Sequence, residues 1–345
     1  MSGSPVPCSK YGVGLIGLGA IGRLHFDCWR KSPFASMAAI ASRDPKKRAG
    51  DWGSLEFNLG DQSNERVDLA GIATYETPEQ LFADPNVQIV DICTPTPQHA
   101  PLTIAALRAG KHVVLEKPMA LCLKECAEIE QALSESGRML MVGHCLRYWP
   151  QYVKAKEIIA SGEYGKPLYA RQDRAGGIPR WSAGGWLTNS AQSGGVLDLH
   201  IHDIDVALWW FGRPEKIDTA GVSTGDLPVI IDSKWGYANG PLVMLHGAWD
   251  PNGATFRHGF RVTLESATLA YDLATSPNVL EIYRDGKKEE IPIDDVSAHQ
   301  AELDDFARSI AEGHCFSRFT PGESRLAVEI GLEELRQIGW RPTAT

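Results

Sequence analysis

The sequence predicts an α/β chain in two parts: a doubly wound parallel sheet, then a second α/β part whose sheet is antiparallel or mixed. Three observations predict it. A glycine-patterned turn stands between a buried strand and a helix in residues 11–29. Strand-type and helix-type runs then alternate as far as about residue 145. From Pro150 onward, strand-type runs follow one another, interrupted by one long helical stretch, Leu197 to Phe211. A helix between successive strands is the connection that parallel pairing needs, whereas strands joined by short turns pair antiparallel. At 345 residues the chain holds two domains of ordinary size. They are expected at 1–145 and 146–345, with 1–10 a flexible tail and the closing helices able to pack back on the first domain.

The organising stretch is YGVGLIGLGAIGRLH, from Tyr11 to His25. Val13, Leu15 and Ile16 read as a short buried strand, and Ala20 to Trp29 as a helix. Gly17, Gly19 and Gly22 between them form G-x-G-x-x-G. In that context Gly17 permits a tight turn, Gly19 lets the backbone approach a pyrophosphate, and Gly22 lets helix and strand pack closely. The helix then offers backbone N–H groups and a positive dipole end to phosphates. Ala20 and Ile21, in its first turn, join the three glycines as candidate cofactor contacts. The competing reading is a plain structural turn.

Ser36 to Ser42 (SMAAIAS) reads as the second strand. A dinucleotide fold places an acid near the end of this strand to bond the ribose hydroxyls. Here Ser42-Arg43-Asp44 stands there. Serine leaves room for a 2′-phosphate and Arg43 can supply charge to it, which favours NADP slightly over NAD. Against that, Asp44 can cap the next helix, DPKKRA, or serve the ribose itself. Gly50 to Thr74 is polar, with turn signals at Gly60-Asp61 and Ser63-Asn64, and reads as a surface insertion. Thr77-Pro78-Glu79-Gln80 starts a short helix with proline at its first position.

Val87 to Cys93 is the next strand, ending in Thr94-Pro95-Thr96-Pro97-Gln98-His99. Pro101 to Ala109 is helical and stops at Gly110. His112 to Leu115 is a strand ending in Glu116-Lys117-Pro118. Leu121 to Ser136 is a helix, and Arg138 to Val142 a strand. Ligands in such sheets sit beyond the carboxyl ends of the strands, so Thr94–Thr96 and Glu116–Pro118 should line one crevice with Gly17–Gly22. In the second part Gln151 to Ser161 is a helix. Pro167–Asp173, Lys216–Ser223, Val229–Trp235, Leu242–Trp249, Phe260–Leu273 and Val279–Tyr283 read as strands. Ser297–Gly313 and Pro321–Gln337 are closing helices.

Composition excludes several classes. A hydrophobic fraction of 43% with 22% charged residues describes a soluble globular protein. The net charge of −9 argues against a nucleic-acid or anionic-membrane binder. No apolar run reaches the roughly 18 residues of a membrane span. The start, MSGSPVPCSK, lacks the pattern of a secretory signal. Seven scattered cysteines without a C-x-x-C pair read as reduced thiols of a cytoplasmic protein.

Two constellations carry chemistry. Lys117 follows a buried strand, and Pro118 restricts it to extended backbone, which can hold its side chain towards the crevice. A lysine there donates to a substrate hydroxyl and raises its acidity; the bland alternative is a phosphate or surface lysine. The second is Asp198-Leu199-His200-Ile201-His202-Asp203-Ile204-Asp205. On a helix, Asp198, His202 and Asp205 share a face, while His200 and Asp203 lie elsewhere. A carboxylate one turn from an imidazole orients it and tunes its proton affinity, as oxidation of a carbinol requires. A structural His/Asp helix is the alternative. As a strand, His200 and His202 would share a face. His99, His144 and His246 are isolated, so no metal is expected.

GLGAIGRLH, CTPTPQHA, Glu116-Lys117-Pro118 and GGVLDLHIHDIDVALWWFG together resemble the Gfo/Idh/MocA oxidoreductases, along nearly the whole chain. The resemblance implies an N-terminal Rossmann domain and a C-terminal α/β domain with a large, mostly antiparallel sheet. That sheet's open face would form subunit contacts in a homodimer or homotetramer. It further implies that Lys117 is the catalytic lysine, His202 the acid/base, and Asp198 the residue that orients His202 or binds a hydroxyl. Cofactor contacts implied are Gly17, Gly19, Gly22, Ser42, Arg43, Thr94, Pro95, Thr96, His99, Glu116 and Lys117. Arg147 and Trp186 would approach the nicotinamide or substrate. Three departures stand out: Thr96 where Asn is common, Leu187 where Arg is frequent, and His200 where many members have Gly. The third is expected to bring a polar group towards the substrate.

Ten tryptophans are numerous for this length. Aromatic faces suit sugar C–H surfaces, so Trp181, Trp186, Trp209, Trp210 and Trp235 are candidates for a carbohydrate floor, with Trp209 and Trp210 read as core. The expected activity is NAD(P)-dependent hydride transfer at a carbinol carbon of a sugar, cyclitol or related polyol. The alternatives are glycoside cleavage through transient oxidation with no net redox, and a non-catalytic nucleotide or sugar binder.

Overall fold

The structure, a computed structural model, describes residues 10–53, 66–180, 182–314, 316 and 318–341. The turn signals at Gly60-Asp61 and Ser63-Asn64, residues 1–9 of the expected tail, and Trp181 lie outside the described residues. The chain divides into two compact units: Met1–Gly143 with His299–Ser324, and His144–Ala298 with Arg325–Thr345.

The first unit is built on six parallel strands. In chain order its elements are β1 (Tyr11–Ile16), α1 (Ala20–Lys31), β2 (Ala35–Ala41), α2 (Pro45–Arg48), β3 (Ala73–Tyr75), α3 (Pro78–Ala83), β4 (Ile89–Ile92), α4 (His99–Arg108), β5 (His112–Leu115), α5 (Leu123–Ser136) and β6 (Leu140–Val142). The sheet order is β3-β2-β1-β4-β5-β6, so the winding reverses between β1 and β4. That reversal is the switch point at which open α/β sheets bind ligands. The register places Ile16 beside Ala41 and Ile92, Ile92 beside Leu115, and Leu115 beside Val142. The segments that follow these strands therefore start along one edge of the sheet.

Local chemistry accounts for the element ends. Asp44 accepts the Lys46 N–H and Pro45 opens α2. Thr77 and Gln80 close a capping box on α3. Leu15, Leu18, Phe26, Ile40, Trp52 and Val67 form a core cluster. The strand β3 falls at the end of the stretch expected to be irregular. At three residues on the sheet edge it has too few positions to show an alternating pattern.

The second unit contains α6 (Pro150–Ser161), β7 (Pro167–Gly177), α7 (Ser190–Ser193), α8 (Leu197–Phe211), β8 (Lys216–Thr224), β9 (Leu227–Gly236), β10 (Leu242–Asp250), β11 (Arg257–Leu264), β12 (Thr268–Asp272), β13 (Val279–Arg284) and β14 (Lys287–Pro292). The closing helices are α9 (Ala298–Ala311), whose residues from His299 belong to the first unit, and α10 (Pro321–Gln337), which continues into the second from Arg325.

Its eight strands run β14-β13-β12-β11-β7-β10-β9-β8, antiparallel except for the β7–β10 pair. The mostly antiparallel sheet is thus as expected. The run Phe260–Leu273 is two strands, because the chain reverses at Glu265-Ser266, where the Leu264 N–H donates to the Ala267 carbonyl. The charged edge strand β14 has no apolar alternation to announce it. Helix α8 packs on β7 and β10. Gly247 on β10 makes room for it: a Cβ there would meet His200 Nδ1 at 2.7 Å. On the opposite face of the sheet Arg171, Asp173 and Arg257 form exposed or half-buried ion pairs. No described helix is long and apolar enough to cross a membrane.

Candidate active site

The glycine turn has the geometry a diphosphate needs. Gly17 sits at φ +95°, and a Cβ there would meet the Cys93 carbonyl oxygen at 2.3 Å. A Cβ on Gly22 would meet the Gly17 oxygen at 1.9 Å, so strand and helix touch through it. Gly19 is the opposite case: nothing lies within 4 Å of its Cβ position. The backbone is therefore open to a ligand at Gly19 and closed to side chains at Gly17 and Gly22. Helix α1 begins at Ala20 and Ile21 with no side-chain cap and no acid in its first turn, leaving its N–H groups to an anion. At the end of β4 the buried hydroxyls of Thr94 and Thr96 have no hydrogen-bond partner. The residues present fit a nicotinamide dinucleotide.

At the end of β2, Ser42 is half-buried and Arg43 exposed. Asp44 is occupied as the cap of α2. Lys47 Nζ donates to the Leu18 carbonyl and Arg48 to the Ser42 carbonyl. Arg43 and Arg48 thus stand by Ser42, where an acid would serve the ribose, one by chain position and the other by its bond to the Ser42 carbonyl. Burial lowers the pKa of Lys47 despite Asp44 nearby.

At the end of β5, Glu116 is buried, Lys117 half-buried and the Lys117–Pro118 peptide cis. The Lys117 N–H donates to Glu116 Oε2 at 3.2 Å. The carboxylate lies against Gly143, where a Cβ would meet Oε1 at 2.7 Å. His25 of α1 approaches it, with Nε2 3.4 Å from Oε1. That is an ion-pair contact rather than a well-formed hydrogen bond, as the unsatisfied Nε2 confirms. The other His25 nitrogen, Nδ1, is 2.9 Å from Asp91 Oδ2. Trp29 Nε1 donates to the same oxygen at 2.7 Å.

Burial opposes charge on His25, yet Asp91 beside it holds its pKa well above the ordinary value. Burial likewise opposes charge on Glu116, and His25 brings it down to about 2. Cys93 is pushed upward, chiefly by burial, so its thiol is neutral and Asp91 is the counter-charge. His25, Asp91 and Cys93 are the one grouping of metal-ligand side chains among the described residues. Their facing polar atoms are spent on one another and on Trp29, while His25 Nε2 faces Glu116.

His99 was expected among the cofactor contacts. It is buried, with Nδ1 2.8 Å from the Pro118 carbonyl and Nε2 2.8 Å from the Thr94 carbonyl. Burial lowers its pKa despite both carbonyls. The ring links the segments after β4 and β5. Pro95 is half-buried beside Thr94.

In the second unit Asp198 and His202 are half-buried, one turn apart on α8. Asp205, on the same face, is held by Arg147, whose Nε is 2.9 Å and Nη2 2.8 Å from the carboxylate. His144 Nδ1 lies 3.8 Å from it. Burial raises the pKa of Asp205, and His144 with Arg147 outweighs it and lowers the value. Arg147 is buried, so its fork serves Asp205 as the structure stands. Trp186 is half-buried in a 3-10 turn, Ala183–Thr188.

His200 does not reach towards a ligand. It is fully buried, with Nε2 3.1 Å from Glu334 of α10. Asp203 is bonded to Arg174 of β7. Trp235 is fully buried and donates to Glu334, which removes it from any carbohydrate floor. The residues that sequence reasoning passed over are His25 and Asp91. An acid inside VQIVDIC, a strand of a parallel sheet covered on both faces, is the signal that marks them.

Comparisons with known proteins agree with this geometry. The family description "Oxidoreductase family, NAD-binding Rossmann fold" matches residues 11–144, and "GFO/IDH/MocA C-terminal domain" matches residues 152–273. An inositol 2-dehydrogenase of Rubrobacter xylanophilus is 30% identical over 62% of this chain and 56% of its own length. A myo-inositol 2-dehydrogenase of Thermotoga maritima is 31% identical over 66% of this chain and 61% of its own. The chain thus spans a little over half the length of these relatives. The fold of a levoglucosan dehydrogenase, solved with NADH and levoglucosan, superposes with a TM-score of 0.81 at 20% identity, covering 98% of this chain and 100% of that one.

Proposed function

The chain belongs to the Gfo/Idh/MocA oxidoreductase family, and from that premise we propose that it is an NAD(P)-dependent dehydrogenase acting on a CH–OH group of a sugar, cyclitol or related polyol. The observation that carries the reading is the glycine turn, open to a ligand at Gly19 and closed elsewhere, above a helix end free of acid.

Gly17, Gly19, Ala20, Ile21 and Gly22 hold the diphosphate, with Thr94, Pro95 and Thr96 alongside. Bound there, the nicotinamide supplies a hydride acceptor in one direction and a donor in the other. Lys117 donates a hydrogen bond to the reacting oxygen and raises the acidity of the hydroxyl. His202 takes the hydroxyl proton, and Asp198, one helical turn away, orients its ring. Arg147 acts by fixing Asp205 on the same helix face. Trp186 offers an aromatic face to the substrate. The cations Arg43, Lys47 and Arg48, with Asp44 engaged as a helix cap, support NADP over NAD.

The inositol dehydrogenases among the relatives support a polyol substrate. A homodimer or homotetramer formed through the open face of the eight-stranded sheet is part of the same reading. The described cysteines are thiols, which suits a reaction in the cytoplasm.

The test is a panel of polyols, inositols and aldoses assayed by absorbance with NAD and NADP in parallel. Lys117→Ala and His202→Ala should each lower kcat by about 100-fold or more while dinucleotide binding survives. Unchanged turnover in both variants would end the proposal.

A further inference from the structure

The segment Glu116-Lys117-Pro118 is gripped on both sides by a buried histidine. Before the lysine, His25 Nε2 stands 3.4 Å from the Glu116 carboxylate, whose second oxygen receives the Lys117 N–H at 3.2 Å. His25 is itself fixed by Asp91 at 2.9 Å, and Asp91 by the Trp29 indole at 2.7 Å. After the lysine, His99 Nδ1 stands 2.8 Å from the Pro118 carbonyl while its Nε2 reaches the Thr94 carbonyl. His25, Asp91 and His99 are at most 1% exposed. None can touch a substrate from there, and a purely apolar core would fill the same space without the cost of desolvating them.

We propose that His25 and His99 are positioning residues for Lys117: one braces the residue before it through a carboxylate, the other ties down the residue after it through a carbonyl. The inference rests on the reading of Lys117 as the group that polarises the reacting oxygen. The physical reason is that Lys117 stands two residues past the end of β5, where the sheet's ladder no longer fixes the backbone. A long, flexible side chain delivers its ammonium accurately only from a backbone that does not move. Helix α1, which carries the dinucleotide turn at its start, carries His25 about one and a half turns later. The phosphate site and the lysine are therefore braced by one helix.

The experiment reads amide exchange at Lys117 by mass spectrometry, together with NADH binding and turnover. Three variants are used: His25→Gln with Asp91→Asn, which removes both charges at once, His99→Leu, and His99→Gln, which keeps one donor. Exchange at Lys117 is expected to rise about ten-fold or more in the first two, with Val114 and Leu115 unchanged and His99→Gln intermediate. Turnover is expected to fall about ten-fold or more while the NADH dissociation constant stays within about two-fold. Exchange at Lys117 that matches the wild type in both severe variants overturns the proposal. So does an equal rise at Val114 and Leu115, which would mean general loosening. If the wild type turns over no polyol or sugar, the functional reading fails, and the exchange measurement still decides whether the two histidines hold the segment.

Discussion

His25 and Asp91 form a fully buried pair, Nδ1 to Oδ2 2.9 Å, in the sheet-facing side of α1. Removing one member strands a charge in the core. Asp91→Ala also leaves the Trp29 N–H without its acceptor. This variant is expected to lose about 3–5 kcal/mol of stability, whereas replacing both residues with apolar ones should recover most of that loss. Urea unfolding midpoints of the two variants and the wild type measure the difference. Equal destabilisation by the single and the double change would show that packing, not the stranded charge, is what matters.

Acid sensitivity should be set by histidines rather than carboxylates. His112 and His299 are held down to about 4, chiefly by burial. A base whose folded pKa is depressed binds its proton first in the unfolded chain. Stability is therefore full above the unfolded value of about 6.5 and falls as pH drops from there towards 4. Glu116 works in the other direction of charge. Its folded value of about 2 makes its contribution complete above the unfolded carboxylate value and lost progressively as pH falls from there through about 2. The melting temperature should thus begin to fall below about pH 6.5, before any carboxylate titrates. His112→Gln should flatten that limb.

The three glycines should separate by what they fail to tolerate. Gly22→Ala drives a methyl into the Gly17 carbonyl and should unfold or strongly destabilise the first unit. Gly19→Ala meets no protein atom. Its thermal stability should stay within about 1 kcal/mol of the wild type, while the dinucleotide dissociation constant rises about ten-fold, equivalent to about 1.4 kcal/mol. Calorimetry with and without NADH reads both. A Gly19→Ala variant that binds as tightly as the wild type would remove the diphosphate from this turn.

These contrasts also mark what the sequence discloses. The strands β1, β4 and β5 are short, mainly apolar runs bounded by glycine or proline, and helix α8 carries its Asp and His residues among apolar residues spaced for a helix, so their places can be read directly. The strands β3 and β14 cannot, because one is three residues long and the other opens with four charged residues. Among site residues the glycines are legible because backbone geometry dictates them. The direction of a side chain is not legible. His200 and His202 stand two residues apart on one helix, yet His200 turns into the core towards Glu334. His99 opens α4 in the segment after β4, and both its ring nitrogens face carbonyls. Such outcomes depend on what the fold brings opposite, as Gly247 is brought opposite His200.

Cofactor choice gives the sharpest test at the end of β2. Arg43 is exposed, and Asp44 beside it is committed to the Lys46 N–H at 2.9 Å. An exposed guanidinium without a bonded acid is suited to a phosphate dianion and indifferent to a hydroxyl. Arg43→Ala should therefore weaken NADP binding by about ten-fold, the equivalent of one charge-assisted hydrogen bond, and leave NAD within about two-fold. Ser42→Asp should go further and favour NAD, since its carboxylate would repel the phosphate and accept the ribose hydroxyls. Binding isotherms for both dinucleotides on the three proteins decide it. Equal losses for NAD and NADP in Arg43→Ala would place that side chain away from the ribose and return the choice of cofactor to Asp44.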